Sequence, residues 1–477
     1  MDLSNYLLLK PELSLLAVFS LLMLYDLFAS DKAKKYYFPI ACTLFLVHTV
    51  VCFFFQDAGS SFAGMYVTGT AQITIKCILN IGVFIIFLQA NEWLSKPESV
   101  LKRGEFFLLT LLTLMGMYLM ISSGNFLLFY IGLETASLPI AALVAFDKFF
   151  HHSAEAGAKF IFNAIFSSAI TIFGLSFVYG ACGTLYYTDL TTSISASPLI
   201  IMGMIFLLSG LCFKISLVPF HLWAADTYQG APTNVTLYLS TISKGAAVFA
   251  LMVILYTVFP ILAEIWKQMF WLLILLTITI GNLFAIRQKN MKRFLAFSSI
   301  SQAGYIMLSA FTGTAQGMGA TMYYIFVYIF SNAAAFGVIS AIENKTGKVN
   351  MTDYNGLYKT NPKLSLAMMI AMFSLGGIPP TAGFFSKLFV FMAAMEQGQV
   401  VIVFLALLNT VISLYYYLLV VKAMFITPNN TPIETVQTDK YLKTSLVISL
   451  AGIVVIGLIS CFYEYISTTG FGIIKIG

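Results

Sequence analysis

The sequence predicts an all-α integral membrane protein with about fourteen transmembrane helices. Of its 477 residues, 59% are hydrophobic and only 10% are charged, whereas soluble globular domains carry roughly 25% charged residues. Long unbroken apolar runs exclude a closed β-barrel. At roughly twenty residues per span plus short connections, the length accommodates about fourteen helices. We therefore expect lipid to be the main solvent of this chain.

The predicted spans follow one another with short connections. We interpret the first as an uncleaved helix, because Met1 to Lys10 is not a basic leader and the apolar stretch from Leu13 to Leu27 is long for a signal peptide. Apolar windows place the spans near residues 12–30, 37–56, 70–90, 106–122, 124–146, 155–180, 198–217, 234–258, 268–286, 293–311, 316–341, 364–390, 399–425 and 442–465. Because fourteen is even, both termini should lie on one face.

Basic residues are distributed unevenly between the two faces that these spans define. The terminal face carries only Lys10, Lys267 and Lys475. The opposite face carries eighteen: Lys32, Lys34, Lys35, Lys96, Lys102, Arg103, Lys148, Arg287, Lys289, Lys292, Arg293, Lys345, Lys348, Lys359, Lys363, Lys422, Lys440 and Lys443. The positive-inside rule therefore predicts that both termini lie outside the cytoplasm. The net charge of +6 then reflects topology and does not indicate nucleic-acid binding.

Prolines interrupt two of the predicted spans. Pro219 in helix 7 cannot donate to the carbonyl of Ile215 and its ring crowds it, so the helix should break just beyond Lys214. Pro379 and Pro380 should disrupt helix 12 in the same way. Interrupted helices in two halves of a chain are typical of a transport path. We expect two inverted five-helix repeats, helices 4 to 8 and 9 to 13, and four segments: an N-terminal three-helix segment 1–105, the repeats 106–258 and 259–425, and a C-terminal helix 426–477.

Five lysines fall inside the predicted helices: Lys76, Lys159, Lys214, Lys244 and Lys387. A charge at mid-membrane costs about 2.5 to 3.5 kcal/mol, so such residues call for a functional explanation. Lys76 lies within two turns of the outer end of helix 3 and is expected to snorkel to the interface. Lys159 follows Glu155 by four residues, a spacing that also suits an ordinary interfacial ion pair.

The other candidate residues surround the two helix breaks. Glu134 is the single acid in helix 5, about a dozen residues from its start; its alternative interpretation is a satisfied structural acid. His221 lies seven residues after Lys214 and would share its helix face if the break is mild; its alternative is a capping or water-bound histidine. Lys244 follows several hydroxyl residues that can hold a file of water. Lys387 follows the break in helix 12.

These residue types suit proton handling. One unit-charge contact at an effective dielectric constant near 20 is worth about 4 kcal/mol. Moving one charge across about 150 to 200 mV costs about 3.5 to 4.6 kcal/mol. Making and breaking a single Glu–Lys contact therefore supplies energy on the scale that a proton pump needs.

Cofactor motifs are not apparent in the sequence. It shows no metal, haem, flavin or nucleotide signature. His151 and His152 near Glu155 suit a solvated loop better than a metal site. The reaction that drives transport is therefore expected to take place in another subunit.

A family resemblance rests on the segment from Lys214 to Lys244, which reads KISLVPFHLWAADTYQGAPTNVTLYLSTISK. It resembles the signature of the antiporter-like, proton-translocating subunits of complex I, the respiratory NADH:quinone oxidoreductase. Within it, the D-x-Y-x-G-A-P-T pattern from Asp226 to Thr233 is most similar to the N-subunit branch. The likeness continues through Glu134, through RFLAFSSIS from Arg293, and through GIPPTAGFFSK, which ends at Lys387. A lysine instead of a glutamate at position 387 argues against the M branch.

The resemblance implies a role for each candidate residue. Glu134 and Lys214 would form a switching pair, Lys244 would relay protons across the centre, and Lys387 would serve the second half-channel. Lys159 matches the helix 6 lysine of the family, and His221 is a candidate relay. The family often carries histidine where this chain has Gln302, an amide that orients water but cannot titrate.

For the assembly, the resemblance implies FMN, iron–sulfur clusters and quinone in the complex but none in this chain. Its partners would be the other membrane subunits, including the sister subunit M and the small subunits K and J, in a bacterial inner membrane with periplasmic termini. Two alternatives stay open. A subunit of a multi-subunit cation/proton antiporter or membrane-bound hydrogenase would share the fold, and a scaffold that transports nothing would tolerate neutral substitution of the buried lysines.

Overall fold

A computed structural model describes residues 6–55, 57–147, 151–429, 431–459 and 461–470. Two of the basic residues used to predict the topology, Lys148 and Lys475, lie outside these residues. The helices in chain order are α1 Lys10–Phe28, α2 Asp31–Lys34, α3 Tyr37–Cys52, α4 Thr70–Leu94, α5 Arg103–Ile121, α6 Phe126–Val144, α7 His151–Cys182, α8 Tyr187–Ser193, α9 Pro198–Ile215, α10 Leu222–Gly230, α11 Thr233–Tyr238, α12 Lys244–Thr257, α13 Ala263–Ile286, α14 Met291–Ala310, α15 Ala315–Thr346, α16 Leu357–Thr360, α17 Pro362–Gly376, α18 Ala382–Glu396, α19 Val400–Phe425, α20 Lys440–Leu458 and α21 Cys461–Gly470.

Three short 3₁₀ turns, a π-helical turn and one hairpin complete the described structure. The 3₁₀ turns are Val100–Lys102, Pro260–Leu262 and Met351–Tyr354, and the π-helical turn Leu239–Ser243 joins α11 to α12. Strands β1 Gly59–Ser61 and β2 Tyr66–Thr68 pair antiparallel, with Ser60 opposite Val67. The hairpin lies between α3 and α4, on the face where α1 begins.

The expected all-α membrane architecture is confirmed. Eleven helical segments within the described residues are long and apolar enough to cross a membrane. The other expected spans are also helical: α3 and α17 are shorter apolar helices, and α14 is a 20-residue helix rich in polar side chains. The last predicted span, 442–465, is divided between two helices: α20 ends at Leu458, and a separate helix, α21, begins at Cys461.

The helices form concentric layers. α15 and the continuous segment Thr233–Thr257 are entirely buried over their most apolar stretch. Outer helices instead expose large apolar side chains, such as Phe162 and Phe166 on α7 and Val411 on α19. An apolar outer surface of this kind suits lipid contact, whereas a soluble protein exposes only limited apolar patches.

The order of the elements repeats within the chain. A first series runs from α5 through α12, and a second series runs from α13 through α19. The third helix of each series, α7 and α15, has 32 residues. The next long helix of each series, after the short α8 or α16, is interrupted, as α9 followed by α10 and as α17 followed by α18. The interruptions expected in helices 7 and 12 are thus confirmed.

Both interruptions begin with a left-handed residue. Ser216, with a φ of 65°, is the C-cap of α9, and Gly377, with a φ of 83°, is the C-cap of α17. This conformation stops an α-helix because the next residues turn away from the helix axis. Glycine adopts it without steric cost, whereas serine is uncommon there. A cis peptide bond precedes Pro219 in the first break and Pro380 in the second.

Candidate functional site

Three of the predicted lysines occupy a row of polar side chains through the middle of the bundle. Lys214, Lys244 and Lys387 are 8%, 2% and 5% exposed. Each comes from a different helix, α9, α12 or α18, and each lies close to a break or to the π-helical turn. We call these lysines, Glu134 and the polar groups near them the central row. Those groups are Ser137, Ser168, Ser243, Ser298, Ser299, Gln302, Tyr417 and the Leu375 carbonyl.

Lys214 and Glu134 each form a hydrogen bond with a serine. Lys214 Nζ donates to Ser137 Oγ at 2.7 Å, and Ser168 donates a short hydrogen bond to Glu134 Oε1. Ser168 also lies 2.8 Å from the hydroxyl of Tyr130. Among the described residues Lys214 and Glu134 form no direct ion pair, so the two groups are held apart in this state. The direct Glu–Lys contact whose energy is on the scale of a proton pump is therefore not formed in this state.

A small cavity joins these groups to the next part of the row. Its volume is about 20 Å³, and Ser137, Ser168, Lys214 and Ser243 contribute to its walls. A cavity of this volume has room for about one water molecule. Ser243 directly precedes Lys244, so the cavity lies between the Glu134–Lys214 region and the centre of the protein.

The first helix break satisfies most of its exposed backbone groups within the protein. Trp223 Nε1 donates to the carbonyl of Phe213 at 3.1 Å, and Val218 N–H donates to Thr277 Oγ1 at 2.9 Å. His221 lies beyond the turn, at the N-cap of α10. It is buried, and it does not continue the helix of Lys214, because α9 ends at Ile215. Its Nδ1 has no hydrogen-bond partner in the described part of the chain.

Lys244 begins α12 directly after the π-helical turn. Its Nζ donates to Ser299 Oγ at 2.7 Å and to the Ser299 carbonyl at 3.2 Å. The Nζ also lies 5.7 Å from the ring centroid of Tyr228, within cation–π range. The hydroxyls of Tyr228 and Tyr328 are buried and have no partner within the described residues. Buried polar groups of this kind usually bind ordered water, so the surroundings of Lys244 suit hydration.

Lys387 binds the end of the helix segment that precedes it. Its Nζ donates to the carbonyls of Leu375 and Gly376, each at 3.0 Å. These carbonyls are freed because α17 ends at Gly376, and the negative end of a helix dipole favours a cation. Tyr305 places its ring centroid 5.2 Å from the same Nζ.

Gln302 connects the surroundings of Lys244 and Lys387. Its Nε2 donates to the carbonyl of Leu375 at 3.1 Å, the same carbonyl that accepts from Lys387. It also donates to the Tyr417 hydroxyl at 3.0 Å, which lies 2.5 Å from Ser298 Oγ. Ser298 adjoins Ser299 on α14. The amide at position 302 therefore occupies the middle of the row, where the family often carries histidine.

Lys159 belongs to a different, partly exposed site. Its Nζ lies 2.8 Å from Glu155, the i,i+4 partner that the spacing predicts, and 2.8 Å from Asp226. Asp226 also binds Arg293 at 2.5 Å. The sequence predicted no site role for Asp226 or Arg293, although both lie in the matched motifs and Arg293 is one of the basic residues of the face opposite the termini. Their charges and their positions in those motifs were the available signal.

A large cavity lies beside this cluster on the face that carries most loop cations. Its volume is about 610 Å³, and Lys159, Asp226, Lys292 and Glu343 are among its lining residues. Lys292 Nζ lies 2.9 Å from Glu343 Oε1 and donates to the carbonyl of Ala231 at 3.1 Å. Sequence reasoning missed this second ion pair, because its members are 51 positions apart.

Two further predictions concern residues outside the central row. His151, His152 and Glu155 are exposed, as a solvated segment requires, although their ligand atoms lie within 4.8 Å of one another and so form a potential ligand group. The expected snorkelling of Lys76 is wrong. Its side chain is 1% exposed and pairs with Glu12 at 2.5 Å, because α1 places a carboxylate against α4 that hydropathy alone does not reveal.

Comparisons with known proteins identify the family and the fold of the chain. The family described as NADH:quinone oxidoreductase/Mrp antiporter, TM matches residues 123–413. The chain is 55% identical over 470 residues to NADH-quinone oxidoreductase subunit N of Phocaeicola vulgatus, covering 98% of this chain and 99% of the relative. A chain in the structure of respiratory complex I from Thermus thermophilus matches with a TM-score of 0.80 and 30% identity, over 94% and 97% of the two chains. A chain of an archaeal membrane-bound sulfane sulfur reductase shares the fold, with a TM-score of 0.87 at 24% identity over 100% and 98% of the chains.

Proposed function

Since the chain belongs to the NADH:quinone oxidoreductase/Mrp antiporter family of membrane subunits, we propose that it translocates protons through the central row as part of an NADH:quinone oxidoreductase. The observation that carries the proposal is the alignment of three buried lysines with hydroxyl, amide and carbonyl groups between them. Ionisable residues at this depth are expensive in a membrane, and they mark ion pathways when they face the interior of a bundle.

Each part of the row has a chemical task in this proposal. Glu134 and Lys214 alternate between two states. In the present state Lys214 binds Ser137 and Glu134 binds Ser168; in the other state the two form a direct ion pair. Closing that pair favours the charged form of Lys214, and opening it releases the proton toward Lys244. The water-sized cavity beside Ser243 offers the bridge between the two lysines.

Lys244 and Lys387 then share the proton through α14. Ser299 binds Lys244. Gln302 donates to the Leu375 carbonyl, which also accepts from Lys387. Gln302 accepts and donates hydrogen bonds but does not titrate, so it orients the chain of donors and carries no charge itself. Lys159 and Asp226, beside the large cavity, would exchange protons with water on the loop-rich face, and His221 would act as a relay at the first break.

At the level of the complex, the proposal assigns redox chemistry to other subunits. FMN, iron–sulfur clusters and quinone would be bound there, and quinone reduction would drive the change at Glu134 and Lys214 through neighbouring membrane subunits. We assign M, K and J as neighbours from the family resemblance. The eighteen-to-three distribution of basic residues supports periplasmic termini in a bacterial inner membrane. We also propose the division of the chain into the segments 1–105, 106–258, 259–425 and 426–477.

Substitution of Lys214 tests the proposal. Lys214→Met keeps the apolar stem but removes the titrating group, so proton uptake per assembled complex should be lost while assembly survives. Lys214→Arg keeps the charge but stays protonated, because the guanidinium pKa exceeds 12, and it should be nearly as damaging. The measurement is quinone reduction and proton uptake in membranes, normalised to assembled complex. Lys267→Met, at the start of α13 and outside the row, is the control.

The two rivals predict different outcomes. For a scaffold that holds a structural ion pair, arginine should rescue, and methionine should impair assembly by leaving Glu134 buried without its partner. For an antiporter or hydrogenase subunit, the chain should co-purify with a different set of redox or transport subunits. Wild-type proton uptake in assembled Lys214→Met would remove Lys214 from the mechanism.

A further inference from the structure

A second group of buried polar side chains lies apart from the central row, near the face where α1 begins. Lys76 Nζ on α4 lies 2.5 Å from Glu12 Oε1 on α1, and the side chains are 1% and 5% exposed. Tyr66 on β2 donates to the other carboxylate oxygen at 2.8 Å and accepts from Lys76 at 3.2 Å. The ammonium group also lies 5.2 Å from the ring centroid of Tyr118 on α5. Four structural elements therefore converge on one ion pair.

His48 on α3 extends this group. Ser14 donates to the carbonyl of Pro11 at 3.0 Å, so its oxygen accepts the Nδ1–H of His48 at 2.8 Å. His48 Nε2 then accepts from the amide of Asn80 at 3.3 Å, and the Asn80 carbonyl accepts from Tyr118 at 2.6 Å. We call this set the N-terminal polar cluster; it comprises Glu12, Ser14, His48, Tyr66, Lys76, Asn80 and Tyr118.

Stability alone does not explain a buried ion pair at this place. Desolvation of two charges offsets much of their attraction, and apolar residues of similar volume are often as stabilising. The same face already has an exposed ion pair, Lys10–Asp57, at 2.5 Å with side chains 35% and 52% exposed. The buried pair differs from it in a way that matters for transport: it is enclosed by groups that donate and accept hydrogen bonds.

The cluster adjoins the helix that carries Lys244. A side chain at Gly82 on α4 would overlap Ile242, in the π-helical turn that precedes Lys244. On α5, five residues before Tyr118, Thr113 lies 2.6 Å from the hydroxyl of Tyr238 on α11. α4 and α5 therefore contribute residues to the N-terminal polar cluster and, one to two turns away, contact the segment that precedes Lys244.

We propose that Glu12 and Lys76 form a proton-exchange site between the central row and the terminal face. This inference rests on the proposed function. The Lys76 ammonium gives a proton to the Glu12 carboxylate across their direct contact, which leaves a neutral amine and a neutral acid. The acid releases its proton to water at the terminal face, and the amine takes up a proton that arrives along α4 and α5. The pair returns to its starting charges after one proton has passed.

The test uses the whole complex in sealed membranes. Glu12→Gln and Lys76→Met are compared with Lys214→Met, and Lys10→Met is the matched control because it breaks the exposed ion pair of the same face. We measure proton translocation per assembled complex. The inference predicts that Glu12→Gln and Lys76→Met lose as much translocation as Lys214→Met, while Lys10→Met keeps the wild-type value.

Two further results separate the possible failures. If Lys214→Met abolishes translocation and the assembled cluster variants do not reduce it, this inference is wrong and the proposed function stands. If Lys214→Met has no effect, the proposed function itself fails. Should either single variant fail to assemble, the double variant Glu12→Gln/Lys76→Met removes both charges and leaves none unpaired. Its assembly with full translocation would show a purely structural pair, whereas assembly without translocation would support proton exchange.

Discussion

Gln302 offers the sharpest test of continuity along the central row. Its side chain contacts Tyr417, the Leu375 carbonyl and the hydroxyl of Tyr324. Gln302→Leu keeps a similar volume but removes every one of these hydrogen bonds. The Leu375 carbonyl keeps its bond from Lys387, so the hydroxyl of Tyr324 is the group left buried without a partner. An unsatisfied buried group costs about 1 to 3 kcal/mol, which the complex should survive.

The effect on transport should be larger than the effect on assembly. If proton transfer between Lys244 and Lys387 uses this amide, its removal interrupts the chain of hydrogen bonds. The free-energy barrier to transfer then rises by about the value of one hydrogen bond. A rise of about 1 to 3 kcal/mol slows the step roughly 5- to 160-fold. Gln302→His restores a donor and an acceptor at the same position and should keep translocation. Proton uptake and quinone reduction per assembled complex are the assay, and wild-type rates in Gln302→Leu would refute a path through Gln302.

The remaining predictions concern stability and topology. Glu343→Gln leaves buried Lys292 without its charge partner and should cost about 3 kcal/mol, seen as faster loss of assembled complex on heating; Lys292→Met in the same chain should reverse the loss. Gly383→Ala places a methyl group against the end of α17 and should reduce assembly, whereas Gly180→Ala meets no neighbouring atom and should not. Single cysteines in the loop 345–363 should be labelled only from the cytoplasmic side; labelling from outside would overturn the proposed orientation.

Much of the fold follows from local chemistry. The apolar spans are set by the need to satisfy backbone groups inside lipid, so hydropathy alone located them. Pro219 and Pro380 act on their own helix within one turn, so both breaks were predictable as well. Lys214, Lys244 and Lys387 could be selected because a buried lysine is costly wherever its partners come from. These are properties of single residues or of short windows.

The partners of these residues depend on how helices pack, and the sequence shows that poorly. Glu12 and Lys76 are 64 positions apart, and neither spacing nor hydropathy joins them. Ser299, which holds Lys244, is 55 positions away on another helix. The expected contact between Glu134 and Lys214 did not include Ser137 and Ser168, the serines that these two side chains bind. A serine on a membrane helix gives no local signal, because it often bonds its own backbone.

The two repeated series share their shape but differ in their chemistry. In the first, Lys214 precedes the break and binds a hydroxyl from α6, close to the carboxylate of Glu134. In the second, Lys387 follows the break and binds the freed carbonyls of α17, and no carboxylate contacts it within the described residues. A carbonyl dipole is fixed by its helix, whereas a carboxylate can approach or withdraw. A switch driven by a changing ion pair can therefore operate at Lys214, while Lys387 sits in a constant field and depends on the row to receive its proton.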